Sequence, residues 1–206
     1  MPKSTYTITE PLRGALIECF RATTRLVRPE LRQLVLVGGA ASIARSSVFK
    51  TEDVDVAAPP SVLIQIWEAV SAGAPNFSLE SDGKIAFDAP QGFRVRIDLV
   101  QIGDGCIQRI YVAEPFHEGS VASKSDLLRL RAVTVVDRGS DNEVDDFRRL
   151  LSGAASEDQV LPVLDKEELE YVSKAGGSCL GRLDRLVLGA VLGANNSATA
   201  YQFITS

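Results

Sequence analysis

Three aspartates and a glycine pair are the residues of this sequence best suited to chemistry. Asp53 and Asp55 flank a single valine in Thr51-Glu52-Asp53-Val54-Asp55-Val56, and Asp98 stands among apolar residues in Val95-Arg96-Ile97-Asp98-Leu99-Val100. Gly38-Gly39 closes the apolar run Leu34–Val37. Handling phosphate needs close backbone approach to its oxygens, and carboxylates to hold a divalent cation that neutralises the developing charge. Glycines leave their N–H groups unobstructed by Cβ atoms, and a helix opening at that point would direct its positive end to the same place. Magnesium takes oxygen ligands and keeps some of its waters, so three carboxylates with phosphate oxygens make an adequate shell without histidine or cysteine.

That shell requires particular elements. Leu34–Val37 reads as a short buried strand delivering a tight turn, with a short helix through Ser42 to Ser46 after it, so Ser42 and Arg45 join the phosphate-binding candidates. Val54 and Val56 alternate with Asp53 and Asp55, so a strand there puts both carboxylates on one face and both valines in the core. If this strand neighbours the first, the carboxylates lie beside the glycine turn. Two more strands are expected at 84–88 and 93–101, around the turn Ala89-Pro90-Gln91-Gly92, with Arg94, Arg96 and Asp98 sharing a face of the second. Asp98 would be the third ligand and the candidate base.

Around this core the pattern predicts helices. Thr9 caps a helix with Pro11 in its first turn and Leu12, Leu16, Cys19, Phe20 and Val27 at helical spacing. A second, after Pro59-Pro60, carries Leu63, Ile66, Trp67 and Val70, with Trp67 as a core anchor. A further strand is expected near 107–112, and His117 falls in a polar loop as an exposed ring rather than a base. Beyond that the chain turns wholly helical, which places a boundary between an α/β domain at 1–120 and a helical region at 121–206. Ser123 with Asp126 and Ser140 with Glu143 fit the capping box. Helices at 165–174 and 182–192 are separated by Gly176-Gly177. Arg148-Arg149 and Lys166-Glu167-Glu168 read as solvated faces.

The stretch Val35-Leu36-Val37-Gly38-Gly39-Ala40-Ala41-Ser42, continued by Lys50-Thr51-Glu52-Asp53-Val54-Asp55-Val56, resembles the DNA polymerase beta-like nucleotidyltransferase superfamily. The shared signature is a glycine pair after a strand, roughly a dozen residues (here Ala40 to Glu52), two acids separated by one apolar residue, and a third acid on a later strand. Within the superfamily, Lys50-Thr51-Glu52-Asp53-Val54-Asp55 is most similar to the minimal nucleotidyltransferases grouped with abortive-infection toxins. Lys124-Ser125-Asp126-Leu127-Leu128, Asp137-Arg138 and Asp145-Asp146-Phe147 look like their helical half. The resemblance spans residues 35 to 151. It implies an α+β fold, a small mixed sheet with flanking helices followed by a helical C-terminal part, and magnesium-dependent transfer of a nucleoside monophosphate from a triphosphate such as ATP to a hydroxyl of a small molecule, protein or RNA. Asp53, Asp55 and Asp98 would then be metal ligands and catalytic residues, and Gly38, Gly39, Ser42, Arg45 and Lys124 would bind nucleotide, with Arg131 and Arg138 as further basic candidates. Ala40 stands where many active members carry Ser or Thr. This keeps a second reading open: a protein that retains the fold as a ligand- or partner-binding module, or as a metabolite enzyme of different chemistry.

Composition narrows the classes. The 206 residues are 45% hydrophobic and 24% charged, as in ordinary globular proteins. A net charge of −5 gives no bulk field for nucleic acid or an anionic membrane, so an RNA acceptor would need a local basic patch. A single histidine excludes a histidine-rich zinc centre. Cys19, Cys106 and Cys179 are odd in number and widely spaced, which argues for reduced, mostly buried thiols. With no signal peptide or membrane-spanning run in the sequence, a cytoplasmic location is the expectation.

Overall fold

The computed structural model describes residues 7–45, 47, 51–103 and 107–204. The chain is α+β and divides into two compact units, 1–122 and 123–206. In chain order the first holds α1 (Glu10–Arg25), a 3-10 turn at Pro29–Leu31, β1 (Val35–Val37), α2 (Gly38–Ala44), β2 (Asp53–Ala58), α3 (Pro60–Ser71), β3 (Phe77–Leu79), β4 (Ile85–Asp88), β5 (Arg94–Gln101), β6 (Ala113–Phe116) and β7 (Gly119–Ala122). The second holds α4 (Lys124–Asp137), α5 (Asp141–Ser156), α6 (Lys166–Cys179) and α7 (Arg182–Ile204).

The strands form one mixed sheet in the order β3-β4-β5-β2-β1-β7-β6. β2 is antiparallel to β1 and parallel to β5, while β1 is parallel to β7. Three antiparallel pairings, β3–β4, β4–β5 and β6–β7, finish the edges. Alternation decides the faces: Val54, Val56, Val95 and Ile97 are buried, while Asp53, Asp55, Arg96 and Asp98 face the other way and retain solvent. Helix α1 packs on β2 and β5, and α3 on β3 and β5. α1 starts where the Thr9 hydroxyl accepts the Leu12 N–H, has Pro11 in its first turn, and buries Leu12, Leu16, Cys19 and Phe20. Fully burying such side chains contributes about 1.5–3 kcal/mol each for the large apolar ones.

Several expectations are corrected. Trp67 is not a core anchor: the buried stripe of α3 is Val62, Ile66 and Val70, spaced by four residues, and the indole lies one step round at 43% exposure. Residues 107–112 form no strand beyond a bridge from Ile107 to Ile102, and the pairing element begins at Ala113. His117 is exposed, as expected, but at the turn of the β6–β7 hairpin, at φ +52° and edge-on to Phe116. The glycine pair lies inside α2 instead of preceding it.

In the second unit α6 continues through Gly176-Gly177 to Cys179. Gly176 is needed there because a Cβ would come within 2.4 Å of the Leu188 side chain on α7, so the glycine permits close helix packing instead of ending the helix. α7 bends at Gly193, φ +70°, where a Cβ would strike Val160. Glu168 is no solvated charge: it completes the Asp165 capping box and reaches Arg129 at 2.8 Å. Arg129, buried, also binds buried Asp126 at 2.8 Å. Ser140 and Glu143 form the second complete capping box, and Ser123 accepts the Asp126 N–H. Cys19 is buried and Cys179 half-buried, both as free thiols, and Cys106 lies outside the described residues. No helix among the described residues is long and apolar enough to cross a membrane.

Candidate active site

Register brings the candidate residues together. Val37 lies opposite Asp55 across β1–β2, and Asp55 lies opposite Asp98 across β2–β5, so a single row crosses the three central strands. Asp53 lies opposite Arg96 in the next row on the same face. Paired strands are about 4.8 Å apart and like-facing residues on one strand roughly 7 Å apart, which sets the scale of the carboxylate triangle.

The glycine turn closes on this triangle. Gly38 has φ +63°, and a Cβ there would lie 1.9 Å from Asp55 Oδ2. The Asp55 carboxylate therefore occupies the space that any other residue type would fill, directly against the turn backbone. Gly39 is matched to Thr51 in the same way, with a Cβ falling 2.8 Å from Thr51 Oγ1. That hydroxyl donates to Asp53 Oδ1 at 2.5 Å, fixing the first carboxylate of the pair. Strand, turn and carboxylate pair thus form one interlocked piece, because two side chains of the β2 segment fill the two places where glycine omits a side chain.

Asp98 is held differently. Lys84, one residue before β4, donates its ammonium to Asp98 Oδ1 at 3.0 Å. The β3–β4 turn sets this lysine: Gly83 donates to the Glu80 carbonyl, Glu80 to the Lys84 carbonyl, and the Lys84 N–H to Asp82 Oδ1. The hydrogen bond from Lys84 to Asp98, with their mutual attraction, holds the lysine protonated above its ordinary range. Arg96 lies 3.0 Å from Glu80 Oε2, and Arg94 pairs with Glu80 and Asp88.

The remaining candidates are placed as follows. Ser42 is buried in α2. Arg45 follows α2 and points along the sheet to β6 and β7, where it donates to the Ala122 carbonyl and to Glu114 Oε2 at 2.6 Å. Within the second unit Lys124 pairs with Glu157, Arg131 with Asp146 at 2.9 Å, and Arg138 with Glu143 at 3.8 Å. Lys50 lies outside the described residues.

Chemically, the face offers only oxygen donors at its centre, the set a hard divalent cation prefers, next to a cradle that a Cβ would fill. Among the described residues no three His, Cys, Asp or Glu side chains already stand grouped as a metal site. The row reads Asp55, Asp98, Lys84, with an ammonium on the third carboxylate. Sequence reasoning missed Lys84 and Thr51. For Lys84 a signal existed: counting rungs back from the Ala89–Phe93 turn bond pairs Ile85 with Ile97 and so brings Lys84 level with Asp98.

No family model and no curated protein matches the chain. Among solved structures it is similar to an antigenic nucleotidyltransferase-like protein from Paracoccidioides brasiliensis, with a TM-score of 0.56, 17% identity, and coverage of 94% of this chain and 93% of that one. It is also similar to a candidate nucleotidyltransferase from H. pylori, with a TM-score of 0.51, 12% identity and 96% coverage of both chains. At these identities the likeness is one of fold: a nucleotidyltransferase-like fold.

Proposed function

We propose that the Gly38-Gly39 turn with Asp53, Asp55 and Asp98 is a nucleotidyl-transfer site, moving a nucleoside monophosphate from a triphosphate to a hydroxyl. The observation that carries this reading is the seating of the Asp55 carboxylate against Gly38, where a side chain on the turn would displace it. Backbone amides able to approach a phosphate and a carboxylate able to share its counter-ion then stand side by side. Asp53, steadied by Thr51, and Asp55 would hold a magnesium ion with Asp98 as the third oxygen donor. When bound, that ion supplies charge neutralisation at the triphosphate and activation of the acceptor oxygen.

The chain's own residues account for the remainder of the step. The acceptor hydroxyl oxygen bonds to the α-phosphorus, the bond from that phosphorus to the β-phosphate oxygen breaks, and pyrophosphate leaves with the electron pair. Asp98 receives the hydroxyl proton. Glycine amides at the turn orient the phosphates, and the buried valines beneath the face keep the strands in register while charge moves.

Calorimetric titration of each nucleoside triphosphate, with magnesium and again with chelator, tests the reading. Magnesium-dependent binding that disappears in Asp53→Ala supports it. Undiminished binding in that variant overturns the assignment of the carboxylates. A chain that binds no triphosphate would instead be the fold retained as a binding module or recruited to other chemistry, for which Ala40, buried and without a hydroxyl, is the residue to cite.

A further inference from the structure

We infer that Lys84 is a built-in counter-ion of the carboxylate face, holding Asp98 in the absence of a divalent cation and having to release it before one is fully bound. The inference rests on the proposed nucleotidyl-transfer site and adds to it a residue that competes with the metal. Its ground is the row Asp55–Asp98–Lys84. Three carboxylates on one face of β2 and β5 repel one another, and a positive charge at 3.0 Å from Asp98 Oδ1 relieves this where the sheet register brings the lysine level. The arginines that β5 places on that face are directed elsewhere, Arg96 to Glu80 Oε2 and Arg94 to Glu80 and Asp88.

Residue type and exposure suit a releasable partner. Lysine carries a point charge on a flexible stem and makes no two-pronged grip on a carboxylate, unlike arginine. The two side chains are 44% and 35% exposed, so water can take over from either of them. Only the main chain of Lys84 is fixed, by the β3–β4 turn, which leaves the ammonium free to swing away while the strand stays in place.

The test is manganese titration followed by electron paramagnetic resonance, without nucleotide, on the full chain and its variants. Lys84→Met is expected to bind Mn2+ up to about fivefold more tightly than the unaltered protein, the scale of one exposed ion pair. Lys84→Arg, whose two-pronged grip on Asp98 is harder to release, should bind Mn2+ no more tightly than the unaltered protein, and Asp53→Ala should lose the binding. Arg96→Met removes the same charge from the same face without touching Asp98, and its effect should be smaller. Equal or weaker binding in Lys84→Met, or equal tightening in Arg96→Met, overturns the competition while leaving the carboxylate site standing. Absence of saturable Mn2+ binding in every variant overturns the site itself, and this inference with it.

Discussion

Replacing Gly38 by alanine separates two costs that the structure assigns to one atom. The first is conformational: Gly38 sits at φ +63°, and an L-residue with a Cβ in the left-handed region loses about 1–2 kcal/mol. The second is steric, because the new Cβ would lie 1.9 Å from Asp55 Oδ2 and 2.8 Å from its Cγ. Both atoms belong to the outer part of the Asp55 side chain, so the carboxylate can turn aside, at about 0.5–1.5 kcal/mol for an off-rotamer torsion. Gly38→Ala should therefore destabilise the chain by about 1.5–3.5 kcal/mol. It should also abolish triphosphate binding, since the carboxylate that moves is a proposed ligand. Urea unfolding followed by fluorescence is the assay, because the single tryptophan, Trp67, lies in α3 of the first unit. In an Asp55→Ala background the colliding atoms are gone, the nearest remaining one being Cβ at 3.2 Å, and only the conformational cost should persist. The two substitutions should thus be non-additive by about 0.5–1.5 kcal/mol. If Gly38→Ala costs the same in both backgrounds, the packing of Asp55 against the turn is refuted, and the proposed function loses the observation that carries it.

Two further predictions concern parts of the fold away from the site. Arg21, and then Arg25, hold the Glu118 carboxyl down at about 2 against an ordinary 4.5. A depressed folded-state value stabilises above the unfolded one, so Glu118→Gln should be less stable than the unaltered protein at neutral pH, with the difference closing as pH falls from about 4.5 towards 2. A pH-independent difference in thermal unfolding would show that the Arg21–Glu118–Arg25 contacts, at 2.7 to 3.1 Å, do not stabilise the hairpin turn. In the second unit, Arg129→Met leaves Asp126 buried without its cation and should cost about 3–5 kcal/mol in chemical denaturation. A loss below about 1 kcal/mol would mean that water reaches Asp126.

Local patterns carried much of this architecture in the sequence, and long-range pairing carried the remainder. Alternation in Asp53-Val54-Asp55-Val56 is a property of one strand, so the shared face of the two carboxylates could be read directly. The caps at Thr9 and Ser140 are short-range hydrogen bonds and were equally legible. Strand order is not local. That β2 lies between β1 and β5, with β7 beyond β1, depends on crossovers whose outcome no single segment encodes. Trp67 misled because its residue type outweighed its angular position: the stripe Val62, Ile66, Val70 already filled the helix face turned to the sheet. Gly176-Gly177 misled because glycine is used both to stop helices and to let them approach, and only the Leu188 side chain distinguishes the two. Arg45 illustrates the converse. Its place after the glycine turn suggested phosphate, while its guanidinium is directed to Glu114 and the Ala122 carbonyl, partners remote in sequence.

The parallel pairing of β2 with β5 has a consequence for how the protein is made and kept. Parallel neighbours cannot be joined by a tight turn, and here α3, β3 and β4 must all be traversed before Asp98 meets Asp55. Contacts of such wide sequence separation form slowly, after the local hairpins have condensed, so the row of carboxylates should be among the last features to appear during folding. A nascent or partly opened chain can therefore present the glycine turn with Asp53 and Asp55 but not the third carboxylate. Any molecule that engages Asp55 and Asp98 together binds the native state alone and raises its stability by about 2.7 kcal/mol at a hundred times its dissociation constant. A ligand that required all three carboxylates would thus count the chains in which the central crossover is complete.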